Sequence, residues 1–415
     1  MTRAPLILLA LCALLPLDAR AQGLLEARKG HTTKLVKKVK EKEVMPPPAS
    51  PLFALARYKG PAGALSAYVS KPVKPGVKYP AILWITGGFP TGGIGPSAWE
   101  NDGPRDRDQS AKTYREAGMV MMYPTVRGSF ANGGLQESFY GEVDDVLAAA
   151  DYLASLDYVD PKQIYLGGHS TGGTLALLVA QASPRFRAVI SFGPASDPAN
   201  YGAEALSYDP GDAKERRLRA PIRFLEALKT PTFVIEGETG RVDALAVMRK
   251  ATKNPNLHCI EVKGATHFNV LYPVNRLIAK KLQALEGGAQ LSLTKAEVNA
   301  AFRGRQDEIQ ESRDLDMLAR ARGGGASLEG PTATLHYFFA RTRSGLDAAA
   351  KAAKSLGYAP EAVQQRQDNQ GRPYFLLRVE ATVSLGDLKA LFKVGKALTR
   401  IAARHELQYE GWEPK

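Results

Sequence analysis

The segment 164–174 constrains the fold of this chain most. It reads IYLGGHSTGGT, a short apolar run followed at once by Gly-x-Ser-x-Gly and by an apolar helical pattern from Leu175 onward. This order predicts a sharp strand-to-helix turn, the nucleophile elbow, with Ser170 at its tip. Gly168 and Gly172 remove side chains where backbone must cross backbone. The helix N-terminus behind the serine is suited to stabilise a developing negative charge.

Strands and helices alternate along residues 52–285. The predicted strands are continuous apolar runs rather than alternating ones, which is typical of a parallel sheet covered by helices on both faces. Two strands are expected within 53–69, and the later ones are 81–85, 120–124, the elbow strand, 188–192, 232–235 and 259–262. Helices are expected at 109–117 and 141–156. Together with the elbow, this rhythm predicts an α/β-hydrolase fold with a mostly parallel sheet.

Residues 1–21 have the pattern of a secretory signal peptide, with Arg3, an apolar run and a small-x-small site before Gln22. After cleavage Cys259 is the one remaining cysteine, so no intramolecular disulfide can form. We therefore expect an exported protein, located in a bacterial periplasm, with no transmembrane span after cleavage.

The segment 22–51 is basic and rich in proline. Its densest run, 34–42, carries five lysines, and we interpret it mainly as a solvated tether or edge strand. The formal net charge of the chain is +13, which favours anionic surfaces. The charge is not concentrated, so no nucleic-acid partner is expected. The histidines are scattered and no cysteine pair remains, so we expect no metal and no cofactor.

A second unit is expected at the end of the chain. The segment 286–331 is a charged, helical and Gly-rich linker, and 332–415 follows with a pattern of its own. The latter reads strand, helix, two strands, helix and strand, with the second strand placed at 362–366. This order predicts an α+β ferredoxin-like sandwich.

A serine needs a base and an orienting carboxylate to become a nucleophile, and in this fold the chain order is serine, acid, histidine. His267 follows the last predicted strand of the first unit, which makes it the candidate base for Ser170. The oxyanion donors should be the backbone N–H of Thr171 and one N–H of the loop that contains Gly88 and Phe89.

The acid is open. Most relatives of this fold carry an aspartate three residues after the glycine that follows the strand 232–235, and this chain has Gly240 there. Glu236 ends an apolar strand, where a buried carboxylate would need a partner. The candidates are Glu236, Glu238, Asp243 and Asp197.

The residues that surround the elbow resemble those of a known family. The motifs are Arg127-Gly128-Ser129, the segment 141–146, the segment 158–161 and the segment 264–268. With the elbow they look like the catalytic domain of the prolyl oligopeptidase family over residues 60–285. The resemblance implies a serine hydrolase that cleaves peptide or ester bonds in small esters or short peptides through an acyl-enzyme. Peptidase and esterase activity both stay open, because no β-propeller precedes the domain.

The last unit resembles the ribonuclease E regulator B family. The residues that carry this likeness are 337–339, 348–356, 371–374 and 409–413. The family implies control of RNA degradation in the cytoplasm, which the signal peptide contradicts, so we expect a binding or packing module with a protein partner. The alternative hypothesis for the whole chain is a hydrolase scaffold that lost its acid and acts as a binding protein through this unit.

Overall fold

The computed structural model describes residues 23–48, 50–89, 105–368 and 371–415. The predicted signal peptide lies outside these residues. An eight-stranded sheet forms the first unit and a five-stranded sheet forms the second.

The strands of the first sheet are β1 (Phe53–Gly60), β2 (Gly63–Ser70), β3 (Tyr79–Ile85), β4 (Val120–Pro124), β5 (Val159–His169), β6 (Val189–Phe192), β7 (Thr232–Gly237) and β8 (Leu257–Val262). The helices that precede, separate or follow them are α1 (Leu24–Arg28), α2 (Thr113–Glu116), α3 (Glu142–Ser155), α4 (Thr171–Ala182), α5 (Ala213–Arg217), α6 (Val242–Ala251) and α7 (Leu271–Gln283). Short 3₁₀ turns occupy Pro198–Tyr201, Ala203–Ala205, Pro221–Arg223 and Leu225–Ala227.

The strand order of the large sheet is β1-β2-β4-β3-β5-β6-β7-β8. Strand β2 is antiparallel to both of its neighbours, and all pairings from β4 to β8 are parallel. This order is that of the α/β-hydrolase fold, so the predicted fold class is confirmed. Because parallel strands end at the same edge, the loops after β3, β5, β6, β7 and β8 meet at one edge of the sheet.

Each face of the sheet buries its own apolar core. One face packs against α3, α4 and α6 through residues such as Leu166 and Leu175, and the other packs against α2 and α7 around Trp84 and Phe233. The strands read as continuous apolar runs because both of their faces are covered.

The basic N-terminal segment runs over the loops of this unit without forming a strand. Its lysines are exposed, while its backbone is bound to two loops. Val36 N–H donates to the carbonyl of Ser207, Glu41 N–H donates to that of Gly128, and the carbonyl of Val39 accepts from Gln136 N–H in the same loop as Gly128. The lysine side chains are solvated as expected for a tether, whereas the backbone bonds fix the segment to the first unit. We call this segment, residues 23–48, the strap.

A buried carboxylate anchors this strap. Glu215 accepts hydrogen bonds from His31 (2.9 Å), Thr33 (2.8 Å) and the backbone of Lys34 (2.9 Å), and it pairs with the fully buried guanidinium of Arg219 at 2.6 Å. A carboxylate with this many donors is well suited to compensate a buried charge.

The chain between the two sheets is helical. Helix α8 (Lys295–Arg303) opens with a capping box of Thr294 and Glu297 and packs on β8, and α9 (Gln306–Gly323) follows it. Helix α9 contacts both units. Glu308 accepts from Tyr272 of the first unit at 3.0 Å, and Gln310 accepts from Thr399 of the second at 2.7 Å.

The second unit has the strand and helix order that the sequence predicts. Its elements are β9 (Pro331–Ala340), α10 (Arg343–Ser355), β10 (Ala359–Pro360), β11 (Gln364–Gln367), β12 (Pro373–Ser384), α11 (Leu388–Arg404) and β13 (Gln408–Pro414). The sheet is antiparallel with β9 and β12 at its centre. The strand expected at 362–366 is found at Gln364–Gln367 as β11, and the two-residue strand β10, which the sequence does not predict, precedes it. The helices cover one face, and the other carries a groove of about 520 Å³ lined by Tyr337, Phe339 and Tyr374 among others.

One helix prediction for the first unit is wrong in extent. The sequence predicts a helix over 109–117, and only Thr113–Glu116 is helical. Asp108 accepts from the backbone of Ser110 at 2.9 Å, and this local side-chain bond turns the chain before the helix. No helix within the described ranges is long and apolar enough to cross a membrane.

The strap gives a first test. In Glu215→Ala the buried Arg219 loses its carboxylate, which should cost about 3–5 kcal/mol. We expect a lower urea midpoint and faster tryptic cleavage at the lysines of 34–42. Glu43→Ala, a change at an exposed residue of the same strap, should leave both unchanged. Equal behaviour of the two variants would contradict the anchoring role.

A second test concerns Asp314 of α9, whose Oδ1 accepts from Trp412 (3.1 Å) and whose Oδ2 is buried without a hydrogen bond. Burial raises the pKa of this carboxyl to about 7. The folded state then binds the proton more tightly than the unfolded chain, so stability falls as the pH rises from about 4 to about 7. Asp314→Asn should raise the melting temperature at pH 8 more than at pH 5, measured by calorimetry. The surface variant Asp347→Asn should show no such difference.

Candidate active site

The elbow predicted at Ser170 is present between β5 and α4. Ser170 has φ 54° and ψ −115°, a strained conformation for a residue other than glycine. Its backbone N–H donates to Phe192 of β6 at 2.8 Å. A Cβ on Gly172 would lie 2.2 Å from the carbonyl oxygen of Ile85, and one on Gly168 would lie 2.4 Å from that of Gly172. The helix can therefore start against the sheet only because these positions lack side chains.

A histidine and a glutamate meet at the same sheet edge. His267 lies in the loop between β8 and α7, and its Nδ1 is 2.8 Å from Oε2 of Glu236 near the end of β7. Glu236 is 1% exposed and also accepts from the backbone N–H groups of Gly237 (2.7 Å) and Arg241 (2.9 Å). Three donors satisfy this buried carboxylate and fix the face that it presents to His267.

Two glycines make room for this pair. A Cβ on Gly240 would lie 2.4 Å from Oε1 of Glu236, and a Cβ on Gly193 would lie 2.3 Å from Cε1 of His267. The absence of a side chain at position 240, where an aspartate is expected, therefore has a physical reason. The carboxylate of Glu236 occupies the space that a side chain at 240 would enter.

The other acid candidates lie apart from His267. Glu238 is partly exposed and bonds to Lys263 (2.7 Å) and to a backbone N–H, and Lys263 holds the pKa of its carboxyl below the usual range. Asp197 pairs with Arg216 at 2.7 Å and caps a 3₁₀ turn, and Asp243 is exposed in the first turn of α6.

The loop after β3 faces the elbow. Oγ1 of Thr171 donates to the carbonyl of Gly88 at 2.7 Å, and a Cβ on Gly87 would lie 2.9 Å from that of Ser170. Within the described part of the chain, the backbone N–H groups of Thr171, Gly88 and Phe89 donate no hydrogen bond. These are the predicted oxyanion donors. The hydroxyl of Ser170 likewise makes no hydrogen bond to a described residue.

Sequence reasoning missed Gln109. Its Oε1 accepts from the backbone N–H of Gly87 at 2.8 Å and lies 2.9 Å from Nδ1 of His169, and its carbonyl accepts from Trp84 at 2.7 Å. The sequence places it in a predicted helix, and no motif marks it.

His169 is fully buried between two oxygens. Its Nδ1 faces Gln109, and its Nε2 lies 3.0 Å from the carbonyl oxygen of His267. Burial lowers the pKa of this imidazole to about 3, so the ring is neutral at pH 7. A neutral imidazole has one N–H and donates to one of these oxygens at a time. The ring centroids of His169 and His267 are 4.5 Å apart, so His169 packs directly against His267.

An aromatic cluster borders the elbow. Phe139 is buried and stacks on Tyr201, whose hydroxyl bonds to Thr174 of α4 at 2.8 Å. Phe89 packs edge-on against both rings and is 43% exposed. The guanidinium of Arg241 lies 4.7 Å from the ring centre of Tyr201. The cluster offers an apolar surface next to the serine.

The described residues contain no group of three or more His, Cys, Asp or Glu side chains that could hold a metal ion.

Two family models match the chain. The model of the prolyl oligopeptidase family matches residues 105–246, and that of the regulator of ribonuclease activity B matches residues 311–413. Both predicted resemblances are thereby confirmed, in the predicted order. A comparison with curated proteins found no match.

Solved structures of peptidases resemble the first unit. A dipeptidyl peptidase 4 of Porphyromonas gingivalis is 19% identical (TM-score 0.45) over 55% of this chain and 35% of its own. A puromycin-hydrolyzing peptidase of Mycobacterium tuberculosis is 21% identical (0.46) over 56% and 40%. An acylaminoacyl peptidase of Pyrococcus horikoshii is 16% identical (0.45) over 60% and 44%. The chain thus spans less than half of each of these three proteins.

The space at Gly240 gives a third test. In Gly240→Ala the new methyl group must displace the carboxylate of Glu236, so the bond to His267 should be lost. Proton NMR should show this as the disappearance of a downfield Nδ1–H signal that is also absent from His267→Ala. Gly288→Ala, where a Cβ meets nothing within 4 Å, is the control. Retention of the signal in Gly240→Ala would contradict this packing argument.

Proposed function

We propose that the chain is a serine hydrolase with Ser170 as nucleophile, His267 as base and Glu236 as the acid. The observation that carries the proposal is the 2.8 Å contact between His267 and the buried Glu236, at the sheet edge where the elbow presents Ser170. A serine is activated when a base takes its proton and a carboxylate orients that base, and the proposal assigns these three roles to residues at one edge of the sheet.

The chemistry follows from these positions. Oγ of Ser170 attacks the carbonyl carbon, and Nε2 of His267 takes the hydroxyl proton. Glu236 stays ionised, holds the Nδ1–H and stabilises the imidazolium. The oxyanion is placed to accept from Thr171 and the Gly88 loop. His267 then protonates the leaving amine or alcohol, and water hydrolyses the acyl-enzyme. The Ser170–His267 bond forms when substrate is bound, because catalytic hydrogen bonds are often long in the free enzyme.

The surroundings of the site support a small apolar substrate. Phe89, Phe139 and Tyr201 present ring surface beside the serine, which favours an apolar group next to the scissile bond. Esters and short peptides both fit this chemistry. Export to a periplasm belongs to the proposal and rests on the sequence of residues 1–21 alone. Fractionation, with N-terminal sequencing of the mature chain, would test it.

The alternative, a binding protein without catalysis, was based on the absent aspartate at 240. The position of Glu236 supports the enzyme instead, because a carboxylate still reaches Nδ1 of His267. The groove at Tyr337, Phe339 and Tyr374 is the surface that a binding role of the second unit would use.

A fluorophosphonate probe tests the proposed function. We expect an adduct on Ser170, located by mass spectrometry, and none in Ser170→Ala. His267→Ala should slow labelling by about 10⁴-fold and Glu236→Gln by about 10³- to 10⁴-fold. Glu238→Gln, a change in a glutamate of the same loop, is the matched control and should label at the wild-type rate. A folded wild-type protein without label, or equal losses in the two glutamate variants, would refute the triad.

A further inference from the structure

Gln109 joins the two halves of the proposed catalytic centre. One side-chain oxygen contacts both the backbone N–H of Gly87, in the oxyanion loop, and the ring of His169, which lies behind the nucleophile and the base. Gly87 in turn lies against Ser170, because a Cβ on this glycine would come within 2.9 Å of the serine Cβ. A shift of Gln109 would therefore move the loop relative to the elbow.

Two hydrogen bonds between described residues hold the oxyanion loop. Gln109 binds Gly87 N–H, and Thr171 binds the carbonyl of Gly88. Because each peptide unit is planar, fixing one polar group of a unit also fixes the direction of the other. The bond to the Gly88 carbonyl thus orients the N–H of Phe89. The bond to Gly87 N–H fixes the unit formed by residues 86 and 87, so the unit that carries Gly88 N–H lies between two fixed peptide units.

The residues just before Gln109 are held by helix α9. The backbone N–H of Arg105 donates to Ser312 at 2.8 Å, and its guanidinium pairs with Glu308 at 3.1 Å. The next residue, Asp106, is 8% exposed and accepts from Arg313 at 3.2 Å. These bonds tie the start of the segment 105–109 to α9.

The same helix is built into the second unit. Besides the bond from Trp412 to Asp314, Arg313 donates to the backbone carbonyl of Tyr409 at 2.9 Å, and Glu311 pairs with Lys396 of α11. Arg313 therefore holds Asp106 of the first unit and β13 of the second at the same time. These contacts connect the second unit to the segment 105–109 through α9.

We propose that Gln109 is a positioning residue of the oxyanion loop and that α9 sets its place, so that the second unit controls the hydrolase through the segment 105–109. This rests on the proposed function. Gln109 does not touch the substrate. It acts through Gly87 and His169, and a ligand or contact that shifts the second unit would change turnover without entering the active site.

The test uses matched variants of the full-length protein. Gln109→Met keeps the length of the side chain and loses the acceptor, whereas Gln109→Glu keeps an acceptor at the same place. The double variant Glu308→Gln/Ser312→Ala weakens the hold of α9 on Arg105. Arg322→Gln, a change at an exposed residue of the same helix that does not contact this segment, is the control.

The first readout is hydrogen exchange of the peptide that contains residues 84–89, which needs no activity. We expect faster exchange at Gly87 in Gln109→Met and in the double variant, and wild-type exchange in Gln109→Glu and Arg322→Gln. Unchanged exchange in the first two variants would overturn the proposal, whether or not the protein is a hydrolase.

The second readout is the labelling rate of Ser170 and, once a substrate is known, the split of kcat and KM. Gln109→Met should lower the labelling rate and kcat by about 10- to 100-fold with KM nearly unchanged. Gln109→Glu should restore most of the rate, which a misfolded variant would not do. If wild type is not labelled, the proposed function fails while the exchange experiment still decides the positioning role. Equal labelling rates for Gln109→Met and Gln109→Glu would refute the positioning role of Gln109.

Discussion

The close contact between the first turn of α4 and the ends of the neighbouring strands is the constraint on which the rest of the site depends. Gly172 meets the carbonyl of Ile85 and Gly173 meets that of Phe192, so any side chain there would push the helix off the sheet. The contact forces Ser170 into an unfavourable backbone conformation that costs about 1–3 kcal/mol. The packing of α4 supplies the compensating stability, since eleven of its twelve residues are buried. The same contact aims the helix N-terminus and the amide of Thr171 at the space in front of the serine.

The contact between Glu236 and His267 brings a carboxylate to the histidine from a position other than the one where an aspartate is expected. The side chain of glutamate is longer than that of aspartate, so Glu236 at the end of β7 can reach His267. This requires that the loop residue opposite it, Gly240, has no side chain. Gly240 and Gly193 provide this space, and the backbone N–H groups of Gly237 and Arg241 satisfy the remaining lone pairs of Glu236. A side chain at position 240 or 193 and the carboxylate of Glu236 would therefore compete for the same volume.

Helix α9 is bonded to both units of the chain, which its charged composition does not indicate. Its charged residues look like a solvated linker, because polar residues lie on almost every side of it. They serve instead as partners for two different units, with Arg313 bonded to both Asp106 and Tyr409. At this junction the contacts are directional ion pairs and hydrogen bonds, and the helix has no large apolar stripe. The hydrophobic periodicity of its sequence therefore does not indicate a buried face. The helix predicted at 109–117 is too long at its start for two reasons. Asp108 binds the backbone N–H of Ser110, which turns the chain, and Gln109 bonds to the distant residues Gly87 and His169, which no local pattern indicates.

The sequence by itself determined the fold class, the elbow, the nucleophile and base candidates and the order of elements in the second unit. These properties are local, since apolar runs, glycine spacing and strand-to-helix order are written in neighbouring residues. Only the tertiary structure decided among four carboxylates for the place beside His267, and only it brought Gln109 to Gly87 and His169. Glu236 and His267 are 31 positions apart and Gln109 and His169 are 60 apart. Contacts at such separations depend on how strands align at one sheet edge and on which side chains leave room for others. Neither the alignment nor the free volume is encoded in any short stretch of the chain.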